Sequence, residues 1–121
     1  MPDPSLVILY VDNPLRSAEF YADLLARPPV ESSPTFAMFS LHEGTMLGLW
    51  SRHTVSPAAA DGAGGAEIAF TVERACEVDD VHRQWSAKGL AVAQAPTDLD
   101  FGRTFVALDP DGHRLRVFAP A

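Results

Sequence analysis

Four histidines and one cysteine are the side chains of this sequence best suited to bind a metal or to act as a nucleophile. The histidines show no His-x-His or His-x₃-His spacing, and fall in a predicted turn, a loop, a helix and a second turn: His42, His53, His82 and His113. We interpret them as solvated polar residues, although a site that combines them with distant acidic residues stays open. Cys76 lies within a helical pattern without evident His–Asn partners, so we interpret it as a surface or packing residue rather than a nucleophile.

Other common catalytic patterns are absent from the sequence. It contains no CxxC pair, and no Ser-His-Asp arrangement is apparent. The Gly-rich segment Gly62-Ala63-Gly64-Gly65 precedes a predicted strand, whereas phosphate-binding loops lead into the start of a helix. We therefore do not expect phosphate binding at this segment.

The charge balance limits the classes of partner. The 121 residues include 16 acidic and 9 basic side chains, a formal net charge of −7. This charge argues against nucleic acid and anionic membranes, and suits a cationic or neutral small molecule better. No apolar run approaches the ~20 residues of a membrane helix, and the N-terminus lacks a basic signal-peptide region. We expect a cytoplasmic protein.

Hydrophobic periodicity predicts two series of elements, one in each half of the chain. In the first half Asn13 and Pro14 start a helix that Arg27-Pro28-Pro29 ends. The elements predicted there are a strand at Leu6–Val11, a helix at Leu15–Leu25, and a hairpin of Thr35–Leu41 and Met46–Trp50. The apolar face of the helix is predicted at Leu15, Ala18, Tyr21, Leu24 and Leu25. The second half predicts a strand at Ala66–Glu73, a helix at Ala75–Lys88, a weak strand at Leu90–Ala93, and a hairpin of Thr104–Leu108 and Arg114–Phe118.

Sequence offsets between the halves indicate an internal repeat. Val11 and Val72 close the first strands at an offset of 61, and the two hairpin strands repeat at 69 and 68. The chain 1–121 is thus predicted to be one domain of two modules, about residues 5–55 and 66–120, joined by a Pro-, Ala- and Gly-rich linker at 56–65.

Two motifs resemble the vicinal oxygen chelate superfamily, which contains glyoxalases, bleomycin-resistance proteins and dioxygenases. Val11-Asp12-Asn13-Pro14, Ser17-Ala18-Glu19-Phe20-Tyr21 and Leu24-Leu25 are similar to its opening pattern. Asp109-Pro110-Asp111-Gly112-His113 resembles its closing D-P-D-G-N hairpin, with the pair Phe101-Gly102 upstream. Ala26 stands where the family usually has Gly, and His113 where it usually has Asn. Both departures lie in turns.

The resemblance implies an α+β fold. Two βαβββ modules would form a curved, mixed, eight-stranded sheet around a cavity, with the helices outside. Because paired modules in this family are often completed by a second chain, we expect a homodimer.

The resemblance also implies where a metal would be bound in the family's enzymes. The four ligand positions correspond to Leu6, Gly48, Glu67 and Arg116. Only Glu67 could bind a divalent cation, since Leu6 and Gly48 offer no donor and Arg116 stays cationic. We therefore expect no metal, no cofactor and no catalytic residue.

Strand alternation from these four positions predicts the cavity lining. Tyr10, Met46, Trp50 and Phe118 would surround a pair of Glu67 and Arg116, and Gly48 would leave room for a ligand. Four further residues complete the wall or pack in the core: Phe36, Met38, Phe101 and Phe105. Trp50 is either a stacking platform or a core or dimer-interface residue, whereas Trp85 is assigned to the core. The Glu67–Arg116 pair is either a ligand anchor or a salt bridge in place of a metal.

The resemblance to the metal-free drug-binding branch of the superfamily implies a protein that binds and sequesters a planar or aromatic, antibiotic-like small molecule. The strand Met46–Trp50 resembles the corresponding strand of the drug-binding branch of the superfamily. Two alternatives stay open: a metal-dependent lyase, isomerase or dioxygenase with an atypical site, and a dimer whose cavity is collapsed and structural.

Overall fold

A computed structural model describes residues 5–56, 58–59 and 66–121. The chain divides into two compact units at residues 63 and 64. We call these module 1 and module 2, and each has the element order βαβββ. The predicted linker at 56–65 lies largely outside the described residues. None of the described helices is long and apolar enough to cross a membrane.

Module 1 forms a four-stranded mixed sheet with one helix. Its elements are β1 (Leu6–Val11), α1 (Pro14–Leu25), β2 (Glu31–Ser32), β3 (Phe36–Ser40), a 3₁₀ turn (His42–Gly44) and β4 (Met46–Ser51). The strand order is β1-β4-β3-β2, with β1 parallel to β4 and the other pairs antiparallel. As predicted, Pro14 opens α1, and the Asn13 side chain accepts a hydrogen bond from the Arg16 amide at 3.2 Å.

Helix α1 packs on one side of this sheet and creates the core of module 1. It buries Pro14, Ser17, Ala18 and Tyr21. The strands contribute the buried residues Leu9, Val11, Ala37, Phe39, Leu47 and Leu49. Leu15, predicted to lie on the buried face of the helix, is 44% exposed, because Ser17 rather than Leu15 turns toward the sheet.

Module 2 repeats the same topology. Its elements are β5 (Glu67–Thr71), α2 (Ala75–Ala87), β6 (Val92–Leu99), β7 (Gly102–Leu108) and β8 (Arg114–Pro120), in the sheet order β5-β8-β7-β6. The register confirms the internal repeat. Leu6 pairs with Met46 in module 1, and Glu67 pairs with Arg114 in module 2, which reproduces the offsets of 61 and 68.

The core of module 2 lies between α2 and its sheet. Val78 and Trp85 are buried on the helix, and Phe105, Leu115 and Val117 are buried on the strands. The ring of Trp85 meets that of Phe105 edge-on at 5.5 Å, so its predicted place in the core is confirmed. Cys76 is exposed on α2.

Two strand predictions were incomplete. The weak strand placed at Leu90–Ala93 is β6, Val92–Leu99, which is longer and contains two register shifts against β7. These irregularities and Pro96 break the period-two pattern on which the prediction relied. The short strand β2 was missed, since two exposed residues carry no pattern.

Candidate ligand-binding faces

The side of the module 1 sheet opposite α1 carries an apolar and aromatic surface. Cross-strand register places side chains of β1, β3 and β4 on this side. We call the set the module 1 face: Leu6, Ile8, Tyr10, Phe36, Met38, Met46, Gly48 and Trp50. In its β1 row Leu6, Ile8 and Tyr10 are all exposed, and these eight positions carry no charge. Ser40, opposite Met46, and the exposed Glu31 of β2, opposite Met38, border the face on the same side of the sheet. Exposed apolar patches of this kind mark binding surfaces.

Three aromatic rings lie side by side at one end of this face. Trp50 is half-buried and lies between Tyr10 and Phe36 in the register. Its ring meets that of Phe36 edge-on, with centroids 6.0 Å apart. Tyr10 is 43% exposed. An edge-to-face neighbour fixes the indole while leaving it partly accessible for stacking.

The space expected beside Gly48 is filled. A Cβ built on Gly48 would lie 3.1 Å from the ring of Phe36 and 3.4 Å from Ile8. The prediction that Gly48 leaves room for a ligand is therefore wrong. The missing side chain instead lets Phe36 lie across the strand, and Phe36 becomes part of the floor of the face.

Module 2 presents a polar counterpart on the side of its sheet opposite α2. Register places Glu67, Ala69, Thr71, Thr104, Val106, Leu108, Arg114, Arg116 and Phe118 on this side, and we call them the module 2 face. Arg116 donates from Nε to Glu67 at 3.0 Å and from Nη2 at 3.5 Å. Its Nη1 donates to the Thr104 hydroxyl at 3.2 Å, and that hydroxyl donates to the Val117 carbonyl at 2.9 Å. The arginine is thus held on two sides.

Two phenylalanines adjoin this arginine. Phe101, which is 46% exposed, meets Phe118 edge-on at 5.9 Å. The Arg116 guanidinium carbon lies 5.8 Å from the centre of the Phe101 ring, a cation–π contact. Polar and aromatic groups are therefore combined at one place on module 2.

The structure divides the predicted lining between the modules. Tyr10, Met46, Trp50, Phe36 and Met38 share the module 1 face, whereas Glu67, Arg116, Phe118 and Phe101 cluster on module 2. The predicted Glu67–Arg116 ion pair exists. The sequence reading omitted Thr104, although its position opposite Phe118 in the predicted hairpin would have placed it on this face.

The four positions that the family resemblance aligns with metal ligands do not fit a divalent cation here. Leu6 is an aliphatic side chain and Gly48 has none. The one carboxylate, Glu67, already accepts two hydrogen bonds from Arg116, whose permanent positive charge opposes a cation. This donor set is short of the three or four protein ligands that zinc needs.

One histidine differs from its predicted environment. His113 is buried rather than solvated, and its Nδ1 lies 2.8 Å from the carboxylate of Asp109. The other Asp109 oxygen accepts hydrogen bonds from the amides of Asp111 and His113, at 2.9 and 2.8 Å. Candidate ligand atoms of these three residues lie within 4.8 Å of one another, but Asp109 already organises the β7–β8 turn through these bonds.

The other histidines serve local roles. His42 is exposed in the turn before β4. His82 packs its ring edge-on against Phe105 at 5.2 Å. His53 lies 2.7 Å from Asp12, and this hydrogen bond lowers the pKa of Asp12 below its usual value.

Comparison with known proteins identifies relatives of this chain. The sequence model of the glyoxalase/bleomycin resistance protein/dioxygenase superfamily matches residues 5–117. The phenazine antibiotic resistance protein EhpR of Enterobacter agglomerans is 30% identical over 118 residues, which cover 94% of this chain and 89% of EhpR.

Solved structures show the same fold. A protein of Agrobacterium tumefaciens, determined in solution by NMR, is 55% identical with a TM-score of 0.90, over 100% of this chain and 99% of its own. A glyoxalase/bleomycin resistance protein/dioxygenase from Nocardioides is 26% identical with a TM-score of 0.82, over 99% of this chain and 84% of its own.

Proposed function

The chain belongs to the glyoxalase/bleomycin resistance protein/dioxygenase superfamily, and on that basis we propose that it binds and sequesters a planar aromatic, antibiotic-like small molecule without a metal. The module 1 face is the principal contact, with Trp50 as the stacking platform and Tyr10, Phe36, Met38 and Met46 around it. This assignment extends the drug-resistance role of a relative to a specific surface of this chain.

The observation that carries the proposal is the composition of the module 1 face. On β1, β3 and β4 it joins three aromatic rings to aliphatic and thioether side chains without a charge. The one acidic residue on this side of the described strands of module 1, Glu31, lies on the outer strand β2, and α1 packs on the other side of the sheet. A flat aromatic molecule gains both area burial and ring stacking on such a surface.

The similarity to EhpR supports the ligand class. EhpR is a phenazine antibiotic resistance protein, and phenazines are planar tricyclic aromatics. Phenazine is therefore the first compound to test on this chain.

We propose that the protein acts without chemistry, because Leu6, Gly48 and Arg116 stand at positions that the family resemblance aligns with metal ligands, and none of the three can bind a divalent cation. Elemental analysis after purification without chelators should find no stoichiometric nickel, zinc or iron. A bound ligand should be recovered unchanged. One metal ion per chain, or a converted ligand, would contradict this part of the proposal.

A thermal-shift screen over phenazine and other planar aromatics tests binding. A ligand at 100 times its Kd stabilises the folded protein by ~2.7 kcal/mol and raises Tm. We expect such a shift with planar tricyclic compounds and none with aliphatic compounds of equal mass. A screen in which no planar aromatic raises Tm would contradict the proposal.

We further propose that the protein is a homodimer. Each module is a sheet of four strands with outer strands, β1 and β2 in module 1 and β5 and β6 in module 2, and a second chain would give such edges a partner. The mass of one chain is 13.1 kDa, and sedimentation velocity at micromolar concentration should show a species of twice that mass. A monomer that binds ligand at full occupancy would contradict the dimer.

A further inference from the structure

The module 2 face carries a local charge opposite to that of the protein. Its charged side chains on β5, β7 and β8 are Glu67, Arg114 and Arg116, a net charge of +1, whereas the whole chain carries −7. Arg114 lies opposite Glu67 in the register and is exposed. The overall charge favours cationic or neutral ligands, but at short range the nearest charges dominate.

Arg116 has capacity for a further partner. A guanidinium has five N–H donors, and the bonds to Glu67 and Thr104 use three. Within the described part of the chain, two donors are left for an oxygen acceptor. The side chain is 19% exposed, so it reaches the surface while most of it is shielded from water.

The arginine is also pre-organised. Glu67 and Thr104 hold its planar head in one orientation, and the Phe101 ring lies against it. A fixed guanidinium loses little side-chain entropy when it binds a carboxylate, and its remaining N–H groups can form charge-assisted hydrogen bonds to the carboxylate oxygens. Phe101 and Phe118 supply ring contacts directly beside this donor pair.

We propose that the module 2 face is an anion subsite, in which Arg116 binds the carboxylate of a planar aromatic acid and Phe101 contacts its ring system. Arg114 adds attraction at longer range. The inference rests on the proposed function, because it adds a charged group to the ligand class named there. The preferred ligand is an aromatic carboxylate rather than a neutral or cationic aromatic.

Three matched probes test the subsite: phenazine, phenazine-2-carboxylate and phenazine-2-carboxamide. The carboxamide has nearly the same shape as the carboxylate but no charge. Isothermal titration calorimetry of the protein at neutral pH should give a Kd for the carboxylate at least about tenfold lower than for the carboxamide.

Substitutions test whether Arg116 and its partner Glu67 cause the preference for the carboxylate. The measured quantity is the Kd of the carboxamide divided by the Kd of the carboxylate. Arg116→Gln should bring this ratio to about one. Glu67→Gln should increase the ratio, because the neutral glutamine no longer offsets the positive charge of Arg116. Arg83→Gln removes an equal charge from the exposed side of α2, where Arg83 pairs with Asp80, and should leave the ratio unchanged. If Arg116→Gln does not fold, Glu67→Gln decides the question, since it keeps the Thr104–Arg116 bond.

The results separate the subsite from the proposed function. Equal affinities for all three probes would overturn the subsite and leave aromatic binding intact. No binding of any probe would overturn the proposed function itself. A ratio that Glu67→Gln leaves unchanged or lowers would also refute the role of Arg116.

Discussion

His113 takes part in the hydrogen bonds that hold the turn between β7 and β8. The turn after β7 begins at Asp109, whose carboxylate is fully buried and accepts the amides of Asp111 and His113. The imidazole of His113 completes the set at 2.8 Å from the second carboxylate oxygen. The resemblance places Asn at this position in most of the family, so the imidazole is a replacement that keeps a hydrogen-bonding partner for Asp109.

Removal of this imidazole should destabilise the protein. His113→Ala removes a hydrogen bond to a buried carboxylate, and the loss of such a bond costs about 1–3 kcal/mol of unfolding free energy. His113→Asn retains an amide donor and should cost less. Urea denaturation of both variants measures the difference, and equal stability of His113→Ala and wild type would show that the bond is not needed.

Gly48 and His113 also show why the site could be predicted only in part. Alternation along the strands predicted which side chains share each face, and the family motifs predicted the Glu67–Arg116 pair. Alternation gives direction but not rotamer, so it could not show that Phe36 crosses over Gly48. A histidine in a polar turn motif likewise carries no sign of burial until the turn is folded.

The C-terminal end of helix α1 has a backbone conformation that is unfavourable for its residue. Helix α1 ends at Ala26, which adopts left-handed backbone angles of φ 54° and ψ 44°. Its amide donates to the Ala22 carbonyl, a helix-ending hydrogen bond for which Gly is the usual residue. Ala26 therefore carries the strain of a Cβ in that region.

Replacement of this residue should stabilise the helix end. Ala26→Gly removes the Cβ and should raise the unfolding free energy by about 1 kcal/mol. Ala22→Gly within the same helix is the matched control and should lower it by about 0.5–1 kcal/mol. Urea denaturation compares both with wild type, and a destabilised Ala26→Gly would contradict the strain.

Helix α2 is joined to β7 by a two-pronged ion pair. Arg103 donates to both carboxylate oxygens of Asp79, at 3.1 and 3.0 Å, and to Asp98 at 3.1 Å. The hydrogen bonds from Arg103 lower the pKa of Asp79 below 3.8, and Asp79 in turn raises the pKa of Arg103. The pair is a link between helix and sheet on the side away from the module 2 face.

This pair should make stability depend on pH. A carboxyl group whose folded pKa is lowered stabilises the fold above its unfolded pKa, here 3.8, and that contribution is lost as the pH falls through the folded pKa. Asp79→Asn should therefore be less stable than wild type at neutral pH, with the difference shrinking in acid. Arg103→Gln should show the same convergence. Urea denaturation midpoints of wild type and both variants, measured from neutral pH into acid, test this prediction. A stability difference from wild type that stays constant with pH would contradict the link between this ion pair and pH.

The fold was more predictable than the site, because its signals are regular. Helix periodicity, the Asn13–Pro14 start and the half-length offsets predicted both modules and their helices and strands other than β2. The boundaries of β6 were missed where bulges interrupt alternation, and β2 was missed because two residues pair only through the tertiary register. Regular elements follow from local sequence, whereas irregular ones depend on their partners.

For the molecule as a whole, the two modules share one topology but differ in the surface they present. Module 1 has an uncharged aromatic face, and module 2 has a polar face centred on a fixed arginine. Because the two modules have the same fold but different surfaces, module 1 can supply ring stacking and module 2 can supply hydrogen bonds. The proposed function depends first on the aromatic half.

The measurement that tests this account most directly is the affinity of Trp50→Ala for phenazine, measured together with its thermal stability. Offset stacking contributes ~0.5–1.5 kcal/mol beyond area burial, so we expect affinity to fall by at least about tenfold, roughly 1.4 kcal/mol. Since Trp50 is only half-buried, its loss should cost less stability than the ~3–5 kcal/mol of a core tryptophan. Trp50→Phe keeps a ring and should retain part of the affinity. A folded Trp50→Ala protein that binds phenazine as tightly as wild type would contradict the account.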